Sequence, residues 1–136
     1  GVVLQFPLYA GIYGVIKDTG RANRLAEVRQ SVATTDSLPT VVFAYSAFLN
    51  YWVPSGGAKW AMEAPYLLKS AAALDVSPAR IAMAYSYGDM ATNLIQPFWA
   101  IPLLAVARLE FKHILGYELI FFVVYSALVV GALRLI

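Results

Sequence analysis

The sequence predicts an all-α integral membrane fold, and two observations predict it. Of 136 residues, 60% are hydrophobic and 13% charged, against about half and a quarter in ordinary soluble domains. A globule of this size could not cover that much apolar surface, so its surroundings must be apolar too. The apolar residues are also gathered into blocks, several of them near the ~20 residues that a helix rising about 1.5 Å per residue needs to cross a bilayer. Several function classes fall away at once. The net charge of +2 is small and scattered, which gives nucleic acid nothing to bind. No cysteine and one histidine, His113, leave no disulfide framework, metal cluster or thiol chemistry, and no phosphate loop or dinucleotide fingerprint is present. No cofactor is expected.

Taken in order, residues 1 to 16, "GVVLQFPLYAGIYGVI", read as the end of a span. Lys17 and Asp18 reach water there and Gly20 offers a C-terminal cap. With no basic stretch ahead of it this run does not resemble a signal peptide, and the chain reads as a piece of a longer protein that begins inside a membrane helix. Residues 21 to 35 place Leu25, Val28 and Val32 on one side of a helix and Arg24, Glu27 and Ser31 on another. An interfacial helix and a solvated linker helix both fit this pattern.

Residues 38 to 53, "LPTVVFAYSAFLNYWV", are short for a crossing; "PSGG" follows, and residues 58 to 74 are short again. Two short apolar arms about a glycine turn predict a re-entrant hairpin over 38 to 74, allowed in a membrane only where protein or a water-filled cavity surrounds the turn. Two tilted spans joined by an external loop are the alternative. Residues 81 to 107 are long enough to cross but carry Gly88, Asp89, Asn93, Gln96, Pro97 and Pro102, which predicts a helix broken at its centre. Residues 114 to 136 read as an ordinary span, with Glu118 near one end and Arg134 able to snorkel at the other. If the hairpin returns to the face it entered, Lys17, Arg21, Arg24, Arg29, Lys69 and Arg80 share one face, cytoplasmic by the positive-inside tendency.

An ionisable residue deep in a span marks a functional candidate, and Asp89 is one. Thr92, Asn93 and Gln96 follow it at spacings of three, four and seven, on one helix face. That face could line a polar cavity or form a self-satisfied buried network. Pro97 removes a donor from the preceding turn, and a freed carbonyl can hold a cation. At the hairpin, Gly56 and Gly57 are expected to turn the backbone tightly and expose N–H groups. Ser55 adds a hydroxyl, and the second arm starts with a helix N-terminus, an arrangement that binds anions. Carriers built from discontinuous helices bind substrate at such points; a plain external turn is the alternative. Lys59 and Glu63, four apart, are expected to pair, although Lys59 could instead attract an anion. Trp52 and Trp60 flank the tip as candidate pocket walls or belt residues, and His113 is expected in a headgroup-level loop.

Three stretches, "LQFPLYAGIYG", "NYWVPSGG" and "AYSYGDMATNLIQPFWAIPLL", resemble the C-terminal part of the bacterial short-chain fatty acid transporters, the acetoacetate and butyrate uptake family. The resemblance covers essentially the whole chain in the same order. It implies one half of an inverted-repeat carrier, with transmembrane helices, an interfacial helix, a re-entrant hairpin and a broken helix. By motif it places Ser55, Gly56 and Gly57 at the hairpin tip and Asp89, Thr92, Asn93, Gln96 and Pro97 at the unwound centre of the broken helix. The expected substrate contacts are then Asn50, Ser55, Gly56, Gly57, Thr92, Asn93 and Gln96, and the expected ligands of a coupling ion, H+ or Na+, are Asp89, Asn93 and Pro97. Ala58 and Lys59 stand where the family usually has a third glycine and a neutral polar residue, Glu63 where it has glutamine, and the tryptophan shortly after the acidic residue is missing.

These readings converge on a secondary carrier of short-chain carboxylates in the bacterial inner membrane. Its partners would be the carboxylate, the bilayer, the other repeat in a longer chain and a second copy as a candidate oligomer. A channel or structural subunit with a pore loop is the rival. A membrane-embedded enzyme using Asp89 would want a second acid or base nearby, and residues 81 to 107 supply no other carboxylate, histidine or lysine.

Overall fold

The computed structural model describes residues 33–135 and the isolated positions Pro7 and Gly11. The expected span end at 1 to 16 lies outside the described residues apart from those two. The expected helix at 21 to 35 lies outside them except for its last three residues, which are not helical.

Among the described residues there are five helices and no strand. They are α1 (Leu38–Trp52), α2 (Gly56–Ala73), α3 (Pro78–Asn93), α4 (Pro97–Ala107) and α5 (Phe111–Leu135). Proline stands in the first two positions of α1, α3 and α4, where its missing N–H would have had no partner in any case. Two helices end in left-handed backbone without glycine. Asp75 after α2 and Arg108 after α4 take left-handed backbone, φ 53° and 55°. Each lets the following residue close the helix, Val76 N–H donating to Ala71 O at 2.9 Å and Leu109 N–H to Leu104 O at 3.0 Å.

The core is the crossing of α1 and α3. Leu38, Val42, Phe43, Ser46 and Asn50 form the buried face of α1, at intervals close to four. Ile81, Ala84, Tyr85, Gly88, Ala91 and Thr92 form that of α3. The backbones come close because the residues between them are small. A Cβ at Gly88 would lie 2.2 Å from the Phe43 carbonyl oxygen and 2.9 Å from Ser46 Cβ. Ser46 Oγ donates to Tyr85 O at 2.7 Å across the same crossing. Close approach of this kind supplies the dispersion contact that holds helices together where lipid removes the hydrophobic drive.

The arms α1 and α2 each pack on α3 more than on one another. At 15 and 18 residues they are about 22 and 27 Å long, against a hydrocarbon core of about 30 Å. The chain then bends by 43° between α3 and α4. Gln96, immediately before Pro97, is extended, φ −97° and ψ 124°, as a proline requires of its predecessor. The break therefore occupies residues 94–96, within the region where the sequence predicts one, and the broken helix begins at Pro78 rather than residue 81.

α5 has 25 residues and a mean hydropathy of 2.0 over its most apolar window. It is the one described helix long and apolar enough to cross a membrane alone, and α3 with α4 make a second if the bent pair is one span. Arg80 Nη2, at the start of α3, donates to Leu133 O near the end of α5 at 2.6 Å. The two runs are thus antiparallel, with a cation on the carbonyl end of a helix. Leu103 and Val106 of α4 and Tyr117, Ile120, Phe121 and Leu128 of α5 are exposed. The expectation that His113 lies in a loop is corrected: it belongs to the first turn of α5. Its Nδ1 accepts from the Glu110 N–H at 3.1 Å, a side chain reaching back to satisfy a helix start.

Gly88→Ala is expected to break the α1–α3 crossing in the full-length protein, because a backbone carbonyl cannot yield as a side chain can. The loss should reach or exceed the about 3 kcal/mol of severe overpacking. Thermal unfolding in detergent checks this, with Gly131→Ala, where a Cβ meets nothing within 4 Å, expected to match the parent.

Candidate functional site

The hairpin turns at Val53, Pro54 and Ser55. Ser55 N–H donates to Val53 O at 2.8 Å, and Ser55 O accepts from Lys59 N–H at 2.9 Å, which starts α2. Ser55 is the N-cap in extended backbone, φ −145°, but its side chain makes no capping bond. Its hydroxyl is therefore not spent on the helix start. Neither Gly56 nor Gly57 takes left-handed backbone, so the expectation that the glycines make the turn is corrected. They lie inside the first turn of α2, and Pro54 and Ser55 reverse the chain. Gly56 instead gives the Asp89 carboxylate close approach: a Cβ there would sit 3.1 Å from Asp89 Oδ2 and 3.2 Å from Cγ.

That carboxylate is the centre of the site. Asp89, three-quarters of the way along α3, places Oδ1 2.6 Å from Lys59 Nζ, with side-chain exposures of 18% and 1%. Lys59 shares the buried face of α2 with Leu67, Ser70 and Ala71. Its ammonium also approaches Ser46 O at 3.5 Å and stands 5.5 Å from the centre of the Tyr85 ring. The expected Lys59–Glu63 pair does not form. Glu63 accepts from Tyr45 Oη at 2.6 Å, while Lys59 turns inward, where a buried ammonium needs an opposite charge. The lysine-first order of that helical pair was in any case its weaker form.

Behind the ion pair lies an amide network that gathers the sequence-predicted residues. Asn50 Nδ2 is within donating distance of Asn93 Oδ1 at 2.7 Å, Asp89 O at 2.9 Å and Thr92 Oγ1 at 3.1 Å. Thr92 Oγ1 donates to Ala47 O at 3.1 Å, and Asn93 Nδ2 to Asp89 Oδ2 at 3.3 Å. Gln96 Nε2 donates to Asn50 O at 3.1 Å and Tyr51 O at 3.0 Å, satisfying carbonyls that the end of α1 leaves open. Asp89, Thr92 and Asn93 remain helical, and Gln96 joins them from within the break. Pro97 is the first residue of α4. Asn50 Oδ1 and Gln96 Oε1 are buried and have no hydrogen-bond partner among the described residues.

In front of the pair is a pocket of about 370 Å³, lined among others by Gly56, Gly57, Trp60, Tyr85, Ser86 and Asp89. Trp60 packs on Tyr85, ring centres 5.2 Å apart. Trp52 is 67% exposed and lies edge-on to Tyr51, outside the pocket lining. The walls suit a small organic molecule with an apolar part and one polar end. Sequence reasoning singled out Asp89, Gly56 and Gly57, which line this pocket, and left Lys59 between a pair with Glu63 and an attraction for an anion. A signal for its place in the site was present: a lysine at the start of an apolar arm, in a position that the resembled family fills with a neutral residue.

The family model of the short-chain fatty acid transporters matches residues 1–136. The chain belongs to the short-chain fatty acid transporter family. Two relatives, from Escherichia coli and Haemophilus influenzae, both provisionally named short-chain fatty acid transporters, are 39% and 38% identical over 117 residues, 86% of this chain. The chain spans about a quarter of their length, 27% and 26%. No solved structure matches. The family is one of transporters and not of enzymes. Within this family member, an ionised side chain sits in a helix that continues into an apolar run, and it is matched by one buried lysine.

Lys59→Met and Asp89→Asn should each lower the thermal midpoint of the full-length protein, since removing one partner strands the other, a loss of about 3–5 kcal/mol for a buried pair. The Lys59→Met/Asp89→Asn double variant should recover most of it. Additive losses in the double variant would show that the two charges do not stabilise each other.

Proposed function

We propose that this chain is part of a secondary transporter that carries short-chain fatty acids, or related small carboxylates, across the bacterial inner membrane in company with H+ or Na+. The observation that carries the proposal is the buried ion pair of Asp89 and Lys59, set against a helix start and a small apolar-walled pocket. Charged groups kept inside a membrane segment serve ion and substrate pathways. In this reading 38 to 74 is a re-entrant hairpin, 81 to 107 a broken span, and the multi-pass carrier is completed by a second, inverted repeat in the longer chain.

The substrate contacts are assigned to Ser55, Gly56 and Gly57 at the tip, with Asn50, Thr92, Asn93 and Gln96 shaping the site from behind. The coupling ion is assigned to Asp89, with Asn93 and the carbonyls near Pro97. The unpartnered buried amide oxygens of Asn50 and Gln96 support an oxygen-rich surrounding for a hard cation. Substrate and ion of opposite charge in adjoining sites favour each other, and linkage makes that help reciprocal.

Reconstituted full-length protein tests this by uptake of labelled butyrate. Saturable uptake that rises with an imposed proton or sodium gradient is expected; flux that never saturates and ignores both gradients favours a channel. Gly56→Val should abolish uptake while the protein still inserts, because the branched side chain meets the Asp89 carboxylate where even a Cβ is tight. Asp89→Asn should remove gradient-driven accumulation and leave ion-independent exchange, and full accumulation by that variant would move the coupling site elsewhere.

A further inference from the structure

Lys59 belongs to the ion pair behind the transport reading, yet that reading gives it no contact with substrate or ion. It is fully buried at the start of an apolar arm, and the carboxylate in salt-bridge contact with it is that of Asp89. Asp89 lines the pocket, whereas Lys59 does not. The carboxylate therefore stands between the pocket and the ammonium. It also rests against Gly56, with Oδ1, Oδ2 and Cγ all within 3.2 Å of where a Cβ would be. There the first N–H groups of α2 are not capped by Ser55. A carboxylate facing a buried ammonium and an uncapped helix start, reached from a pocket with room for a few carbon atoms, is the arrangement a small carboxylic acid would require.

We infer that Lys59 is the cation that binds the carboxylate of the transported acid, and that Asp89 holds that place as a tethered stand-in until the substrate displaces it. This rests on the transport reading. It adds a specificity-determining residue: the pocket walls, Trp60 and Tyr85, take the apolar part of the acid, and Lys59 takes its charge once Asp89 swings aside. Neutral molecules of the same shape cannot displace Asp89 because they offer the ammonium no replacement charge. The same arrangement explains the small residue at position 56, which leaves the carboxylate room beside the helix start.

The test uses full-length protein in detergent or liposomes and measures equilibrium binding of labelled butyrate, with butyramide as the neutral competitor. Asp89→Asn, which removes the stand-in and keeps the ammonium, should bind butyrate at least about tenfold more tightly than the parent. Lys59→Met should lose binding. The Lys59→Met/Asp89→Asn variant, free of unpaired charge, should fold as judged by its thermal midpoint and still fail to bind butyrate. Butyramide should not compete with butyrate in the parent or in Asp89→Asn.

A double variant that folds and binds butyrate as the parent does would overturn the inference, because the pair would then be structural only. Effective competition by butyramide would overturn it as well. Either result leaves carboxylate transport intact if the parent still takes up butyrate along an ion gradient. Absence of butyrate binding in both the parent and Asp89→Asn fails the transport reading and the inference together.

Discussion

A buried ammonium in an apolar protein must have a full opposite charge within reach, and the arrangement around Lys59 follows from meeting that requirement. Stranding either member of such a pair costs several kcal/mol, so α2 and α3 must hold Lys59 and Asp89 at 2.6 Å. That distance fixes where the hairpin tip sits along α3. It also leaves little room for a side chain at position 56, since the helix start and the carboxylate share a space where a Cβ would be tight. The pair is therefore both a structural tie and the chemically distinctive feature of the site. At an effective dielectric of about 20, a second carboxylate about 4 Å from Asp89 would meet about 4 kcal/mol of repulsion. An anion entering the pocket must have Asp89 neutralised or moved.

The rest of the described chain keeps this tie rigid from behind. α1 and α3 approach through Gly88 and Ser46, close enough for Ser46 Oγ to reach the Tyr85 carbonyl. Asn50 then fastens the end of α1 to Asp89 O, Thr92 and Asn93, and Gln96 closes the last carbonyls of α1. The amide nitrogens of Asn50 and Gln96 answer acceptors that a helix end or a close crossing would otherwise leave open, while their amide oxygens have no partner among the described residues. Gln96 thereby ties the break at 94–96 to the end of α1. On the far side, α4 and α5 expose broad apolar faces, as helices that meet lipid or further protein would.

The sequence by itself determined the all-helical class, the turn between two short apolar arms, a break within residues 81 to 107 and the long final helix. Each of these rests on local physics: proline removes a donor and constrains its predecessor, and apolar length sets what can cross a bilayer. It also singled out Asp89, because a charge inside an apolar run is conspicuous without any knowledge of its neighbours. The partner of that charge was decided by tertiary structure alone. Lys59 and Glu63 are four apart on one helix, and a local rule pairs them; only the packing of α2 on α3 turns Lys59 inward to a residue thirty positions away. The role of Gly56 was decided in the same way. Glycine in a turn suggests backbone freedom, but the chain uses it for the absence of a side chain, and that reason becomes visible only when the carboxylate of another helix is seen against it.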